Sequence, residues 1–314
     1  YRLLFKSLLE QGAVTQVQQL YQRLQSLLQD ELGTEPEAET AALIAQSNSL
    51  YQKLNEFHKS EPAPDYFFGR EKELYHLVSY LDRFRHNRPT PSVLLTGEAG
   101  VGKSTLMNRL STLAESDPFF ILSYQCVQTE QELYLKPWTD ILHNALVLCN
   151  TNGIPNVPLP GLFSEQMDAS LFATQYELCA QRIIQALSSD VEQKKVLLFI
   201  DDIQWMDPAS LRLHANLLHW SKNETMMAVL TVRDDCAQNL RSWKSTLESK
   251  GLLAELAVPR FTKDETIEII RQYHPAILGQ PEQVEKIYHD TDGNALFLLE
   301  YLKARVFNIL SCYS

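Results

Sequence analysis

Along residues 1 to 58 the apolar positions keep helical spacing. Val17, Leu20, Tyr21, Leu24, Leu27 and Leu28 recur at intervals of three and four, which predicts a helix with one apolar stripe. A turn is expected at Gly12. The stretch LGTEPEAETAAL supplies a C-cap glycine at Gly33, a turn at Pro36 and a new helix running toward Leu54, so the segment reads as a helical hairpin. SEPAPD, residues 60 to 65, breaks the pattern as a linker would. From Tyr66 onward, short apolar runs at 92–96, 119–124, 196–200, 227–232 and 253–258 alternate with helical stretches. That alternation predicts an α/β fold, a parallel sheet covered by helices. The loop NTNGIPNVPLPG interrupts the helical region between the second and third strands. From Thr262 the chain reads as helices again, and FTKDETIEII opens with a Thr followed by Asp and Glu, as a capped first turn should.

The first predicted strand runs into GEAGVGKST: Gly97, Glu98, Ala99, Gly100, Val101, Gly102, Lys103, Ser104 and Thr105. The spacing fits G-x-x-x-x-G-K-[ST] between a strand and a helix, the context that motif requires. Glycines let the backbone curl so that successive N–H groups face phosphates, while the new helix presents its positive end. Lys103 then reaches the β- and γ-phosphates, Ser104 ligates Mg²⁺ through its hydroxyl, and Thr105 is a packing or α-phosphate neighbour.

A second half-site follows the third predicted strand. KKVLLFIDDIQWMDPASL places Asp201 and Asp202 at a strand's C-terminal end, where a parallel sheet offers its residues to ligand. Asp201 is placed to hold Mg²⁺ and Asp202 to orient or deprotonate the attacking water. Asp207, just before Pro208, reads as a helix cap. Arg233 closes MMAVLTVR, again at a strand end. It can sense a γ-phosphate, or it can pair at the surface with Asp234 or Asp235. His214 and His219 are five apart, so they do not share a helix face as metal ligands would. Trp205, Trp220 and Trp243 have no basic interleaving and read as core or interface aromatics.

Composition narrows the alternatives. The 314 residues suffice for two or three units, and the formal net charge of −11 disfavours a nucleic-acid or membrane surface on these residues. Five cysteines lie scattered without zinc or C-x-x-C spacing, as in a protein of the reducing cytoplasm. Apolar runs such as VLLFI stop far short of a membrane span, and the start has no signal-peptide pattern. The chain begins at Tyr1 and stops soon after an amphipathic stretch, and so reads as a fragment of a longer protein.

FFGREKEL at 67 to 74, the Gly-rich loop, LLFIDDIQWMDPASLRL, VLTVRDD and GNALFLLEYL at 293 to 302 resemble, in order, the motifs of STAND-type regulatory ATPases, a branch of the AAA-related P-loop proteins. Residues 1 to 40 separately resemble the end of the bacterial transcriptional activator domain, a repeat-like helical module. The resemblance implies a helical module at 1–60, a linker at 61–65, a P-loop ATPase core at 66–258 and an incomplete helical lid at 259–314. It implies that Phe68, Gly69 and Arg70 pack near the adenine, where the residues alone suggest a turn into a helix. It also makes Gly293 and Asn294 a nucleotide-facing lid motif, with Ala295 where many members carry Pro. The implied activity is a slow, Mg²⁺-dependent ATPase switch in a transcriptional regulator: closed with ADP, self-associating with ATP, meeting protein partners through the helical module and DNA only through a domain absent from this chain. A small-molecule P-loop kinase and an origin-recognition-like DNA-binding ATPase are the alternative readings.

Overall fold

The computed structural model describes residues 1–10, 14–32, 34–45, 47–48, 67–151, 169–188, 194–273, 275–279 and 281–311. Gly12, Gly33, Leu54, the 60–65 linker and most of the 150–161 loop lie outside them. The chain divides into two compact units, Tyr1–Tyr80 and Leu81–Ser314, with the division inside a helix.

The first unit carries α1 (Arg2–Glu10), α2 (Val14–Leu32), α3 (38–45) and most of α4 (Glu71–Arg85). Phe5, Leu9, Val17, Leu24 and Ile44 are buried, and Phe5 meets the Tyr21 ring edge-on at 6.1 Å. The α2 stripe thus packs through Val17 and Leu24, with Leu20, Tyr21 and Leu28 half-buried. Leu27 departs from the expected stripe and is 40% exposed. Tyr75 on α4 donates to Ser47 at 3.2 Å, and burial pushes its phenol above the ordinary range, only partly opposed by that hydrogen bond.

The second unit is built on five strands, β1 (Ser92–Gly97), β2 (Phe119–Gln125), β3 (Lys195–Asp201), β4 (Met226–Arg233) and β5 (Leu253–Ala257). All neighbours are parallel, in the order β2-β3-β4-β1-β5. Burial explains why these runs were legible. Central β1 and β4 are buried over almost their whole length, so their sequences are mainly apolar, broken by buried Ser92 and Thr96 in β1 and Thr231 in β4, whereas edge β2 and β5 alternate, as a sheet covered on both faces in its middle requires. Helices α5 (Lys103–Ala114), α6 (Lys136–Thr151), α7 (Ala169–Ser188), α8 (Pro208–Ser221) and α9 (Arg241–Ser249) supply the cover. After β5 come α10 (Lys263–Tyr273), α11 (Pro281–Thr291) and α12 (Ala295–Ser311). The capped first turn expected at α10 takes the form of a complete reciprocal box: the Thr262 N–H reaches the Glu265 carboxylate at 2.7 Å and the Glu265 N–H reaches the Thr262 hydroxyl at 3.2 Å.

Strand order decides where chemistry can occur. β4 separates β1 from β3, and its register sets Gly97 beside Arg233 and Ile200 beside Leu230. The C-terminal ends of β1, β4 and β3 therefore lie side by side, as they do at the ligand edge of open α/β sheets. No helix among the described residues is long and apolar enough to cross a membrane.

Candidate nucleotide-binding site

The Gly-rich loop begins where β1 ends. Gly97 has φ +152°, and a Cβ there would collide with the carbonyl oxygen of Val258, so the close approach admits only glycine. Gly102 sits in the left-handed region at φ +100° and serves as N-cap of α5, whose first turn is capped by no side chain. A Cβ on Gly102 would meet only Ala295, at 3.9 Å. The first N–H groups of α5 thus keep their donor capacity on the concave side of the loop, with the helix dipole behind them. That arrangement fits an anion.

Lys103 is buried, and its Nζ donates to the carbonyls of Gly97 and Glu98, both at 2.8 Å. The ammonium is held inside the curl of the loop, where phosphate oxygens would meet it. Burial pulls its pKa below the ordinary lysine value, while Asp202, Asp234 and Asp201 push it back up. Of the remaining loop residues, Glu98, Ala99 and Thr105 are exposed, Gly100 and Ser104 are half-buried and Val101 is buried. Thr105 therefore does not pack, contrary to one of its two expected roles, because it lies on the open side of α5.

Ser104 and Asp201, ninety-seven residues apart, meet: the Ser104 hydroxyl donates to Asp201 Oδ1 at 3.0 Å. The Thr231 hydroxyl donates to the same oxygen and accepts the Asp202 N–H at 2.8 Å. One strand residue thereby fixes both aspartates. A hydroxyl beside a carboxylate suits Mg²⁺, which takes few protein ligands and completes its shell with phosphates and water. No group of three His, Cys, Asp or Glu able to hold a metal occurs among the described residues.

Asp202 turns out of β3 in the left-handed region, φ +55°, unusual for a residue with a side chain. Its Oδ1 accepts from Gln204 Nε2 at 2.7 Å and lies 3.4 Å from Arg233 Nε. Arg233 thus pairs with Asp202, which neither sequence alternative contained; β3 and β4 are adjacent, and a linear reading cannot see it. Arg233 is 39% exposed at its side chain, so this pair is partly screened. Asp207 caps α8 as expected, accepting the Ala209 and Ser210 N–H groups at 3.0 Å each.

A model of the AAA ATPase domain matches residues 66–232, the stretch that contains the loop, both aspartates and Thr231. The chain belongs to the AAA ATPase domain family. Among solved structures, the Aeropyrum pernix ORC2 protein in its ADP form is similar at 18% identity, covering 78% of this chain and 64% of that one with a TM-score of 0.47. The A. pernix ORC1 protein in complex with DNA is also similar at 18% identity, with 67% and 50% covered and a TM-score of 0.43. The Thermotoga maritima RuvB Holliday junction branch migration motor is similar at 16% identity, with 81% and 66% covered and a TM-score of 0.45. This chain thus spans about half the length of the ORC1 chain. No curated protein matches.

The helices after β5 reach back to the Gly-rich loop. Asn294 Nδ2 donates to the Ala99 carbonyl at 2.9 Å, and the Leu296 N–H donates to the Gly100 carbonyl at 2.9 Å. Arg260 forms ion pairs with Glu98 on the loop and Asp292 on the turn before α12. Asn294 therefore sits on the loop backbone. Phe68 and Arg70 are buried within the first unit, Arg70 pairing with Glu73 at 3.4 Å, and Gly69 is half-buried there.

Several residues escaped the sequence reading. Thr231 could have been found as the lone polar position in an apolar run, and Gln204 as an amide two residues past the paired acids. Arg260 carries no motif signal. Cys126, at the end of β2, is inert as a nucleophile: burial, helped by Asp202, Asp201 and Asp207, pushes its thiol up to about 12. His214 is packing, its ring tilted by about 30° against both Trp138 and Trp243 at ring-centroid distances of 6.2 and 5.7 Å.

Proposed function

We propose that the chain is an ATP-binding, slowly ATP-hydrolysing switch of a cytoplasmic transcriptional regulator, closed with ADP and self-associating with ATP. The observation that carries the proposal is the direct attachment of the lid segment to the phosphate loop, through Asn294 to Ala99 and Leu296 to Gly100. A ligand shifts a conformational equilibrium only through contacts that differ between the states. A lid hydrogen-bonded to the loop that grips the phosphates is exposed to that difference.

In the proposal, residues 66–258 form the ATPase core and 259–314 the lid, while residues 1–60, after which 61–65 are a linker, contact protein. Gly97 to Thr105 cradle the phosphates, Lys103 neutralises the β- and γ-oxygens, and Ser104 with Asp201 holds Mg²⁺. Asp202 orients or deprotonates water, Arg233 meets the γ-phosphate, and Asn294 attends the adenine side. Bound Mg²⁺ supplies charge neutralisation on the transferring phosphoryl group.

The deciding experiment is sedimentation of the 314-residue chain with ADP and with a non-hydrolysable ATP analogue, alongside identification of the nucleotide released on denaturation. A monomer carrying ADP that assembles with the analogue supports the switch. Nucleotide-independent monomers that turn over rapidly with a small-molecule acceptor point to the kinase reading. A band shift of duplex DNA at physiological salt, steeply salt-dependent, supports the origin-recognition-like reading.

A further inference from the structure

Gln204 lies directly beyond the paired aspartates and is only 8% exposed. A buried carboxamide is retained where both of its ends are used, because an unpaired amide costs on the order of 1–3 kcal/mol. Both ends are used here. Its Nε2 donates to Asp202 Oδ1 at 2.7 Å, and its Oε1 accepts the backbone N–H of Arg233 at a longer 3.4 Å. The amide therefore bridges the carboxylate after β3 to the last residue of β4, the strand end that lies in register with Gly97 of the phosphate loop.

Asp202 needs such a bridge. Its backbone is left-handed and leaves β3, so the sheet holds only its N–H, through the Thr231 hydroxyl. Its side chain is otherwise met by the half-exposed Arg233 guanidinium, also on Oδ1. An ion pair of that exposure fixes orientation weakly, whereas a short, part-buried hydrogen bond from the buried Gln204 on the turn that follows fixes it better. With Oδ1 taken by Gln204 and Arg233, the carboxylate is turned so that Oδ2 is the oxygen left to meet water.

We propose that Gln204 is a positioning residue for ATP hydrolysis, holding Asp202 by Oδ1 so that Oδ2 faces the attacking water. This rests on the role of Asp202 proposed above. Gln204 itself contacts neither phosphate nor water. Its loss lowers turnover and leaves nucleotide binding in place.

The test compares wild type, D202N, Q204E and Q204M in the 314-residue chain, measuring ATP turnover and, separately, ATP affinity by calorimetry. Q204M keeps the volume and removes both hydrogen bonds. Q204E keeps the shape but replaces the amide donor with an acceptor-only carboxylate, so the hydrogen bond to Asp202 Oδ1 is lost. The expected result is a drop in kcat of about tenfold to a hundredfold in Q204M, with ATP affinity changed less than about twofold, some of the roughly 10²–10⁴-fold that a placed general base supplies. Turnover by Q204E should fall as in Q204M with ATP affinity again nearly unchanged, a loss that a packing role would not produce in so isosteric a variant. Equal turnover in wild type and Q204M, a parallel loss of affinity and kcat, or wild-type turnover in Q204E would overturn the proposal. So would failure of both variants to fold, which would make Gln204 structural. If D202N keeps wild-type turnover, the role of Asp202 itself fails, a result readable without any Gln204 variant.

Discussion

Helices α5 and α8 each follow a central parallel strand, β1 and β3, yet their first turns are built in opposite ways. α8 is self-sufficient: Asp207 accepts two of its orphan N–H groups and Pro208 occupies the first helical position, a pairing suited to a helix start because proline has no N–H to satisfy. α5 starts at left-handed Gly102 with no side-chain cap. A side-chain cap stabilises a helix by about 1 kcal/mol, and α5 forgoes it. The difference separates a helix that exists to be packed from one whose first turn is kept for an anion. Position along the sheet does not distinguish them, since both begin at the same edge.

Removing the cation of the α5 side should have the largest effect. Lys103→Ala is expected to cost about 3 kcal/mol of ATP binding, more than a hundredfold, with the thermal unfolding midpoint unchanged; calorimetric titration decides, and unaltered affinity would dissolve the contrast.

Next comes acid, which acts on the α8 side. Burial lowers the His214 pKa from 6.5 to about 4. Between those values the unfolded chain binds a proton that the folded chain refuses, so stability rises with pH across the window. The contribution is complete above about pH 6.5 and lost as pH falls toward 4, by roughly 3 kcal/mol in all. Urea unfolding at a series of pH values should show that slope in wild type and lose much of it in His214→Phe.

Asp207→Ala should remove about 1–2 kcal/mol of stability, lowering the unfolding midpoint by several degrees while leaving ATP affinity intact. If it weakened ATP binding instead, α8 would belong to the site and the comparison would fail.

The smallest effect sharpens the site itself. Arg233→Ala should weaken ATP about tenfold, roughly 1.4 kcal/mol, and leave ADP almost unchanged. Equal losses for both nucleotides would reduce Arg233 to a partner of Asp202.

Much of the core and site was legible because the physics is local. Each strand predicted from an apolar run lies within two residues of the observed one, since burial on both sheet faces keeps β1 and β4 mainly apolar. The loop was legible because its glycines answer a backbone need: Gly97 passes too close to Val258 for any Cβ. The cap at Asp207 and the box at Thr262 were readable for the same reason, as each depends on residues two or three apart. Leu27 was misread because helical spacing gives a stripe, while the width of the stripe that is covered depends on what packs against it.

By itself, then, the sequence determined the strands, the helix starts after the Gly-rich loop, Asp207 and Thr262, and the residue types gathered at strand ends, because hydrophobic burial, backbone strain and capping act over a few residues. The tertiary structure alone decided which of those residues meet. Placing β4 between β1 and β3 set Thr231 against both aspartates and Arg233 against Asp202, and the return of the chain after β5 laid Asn294 and Arg260 on the phosphate loop. Those contacts span tens to nearly two hundred residues, and they follow from strand order and register, which no local pattern encodes.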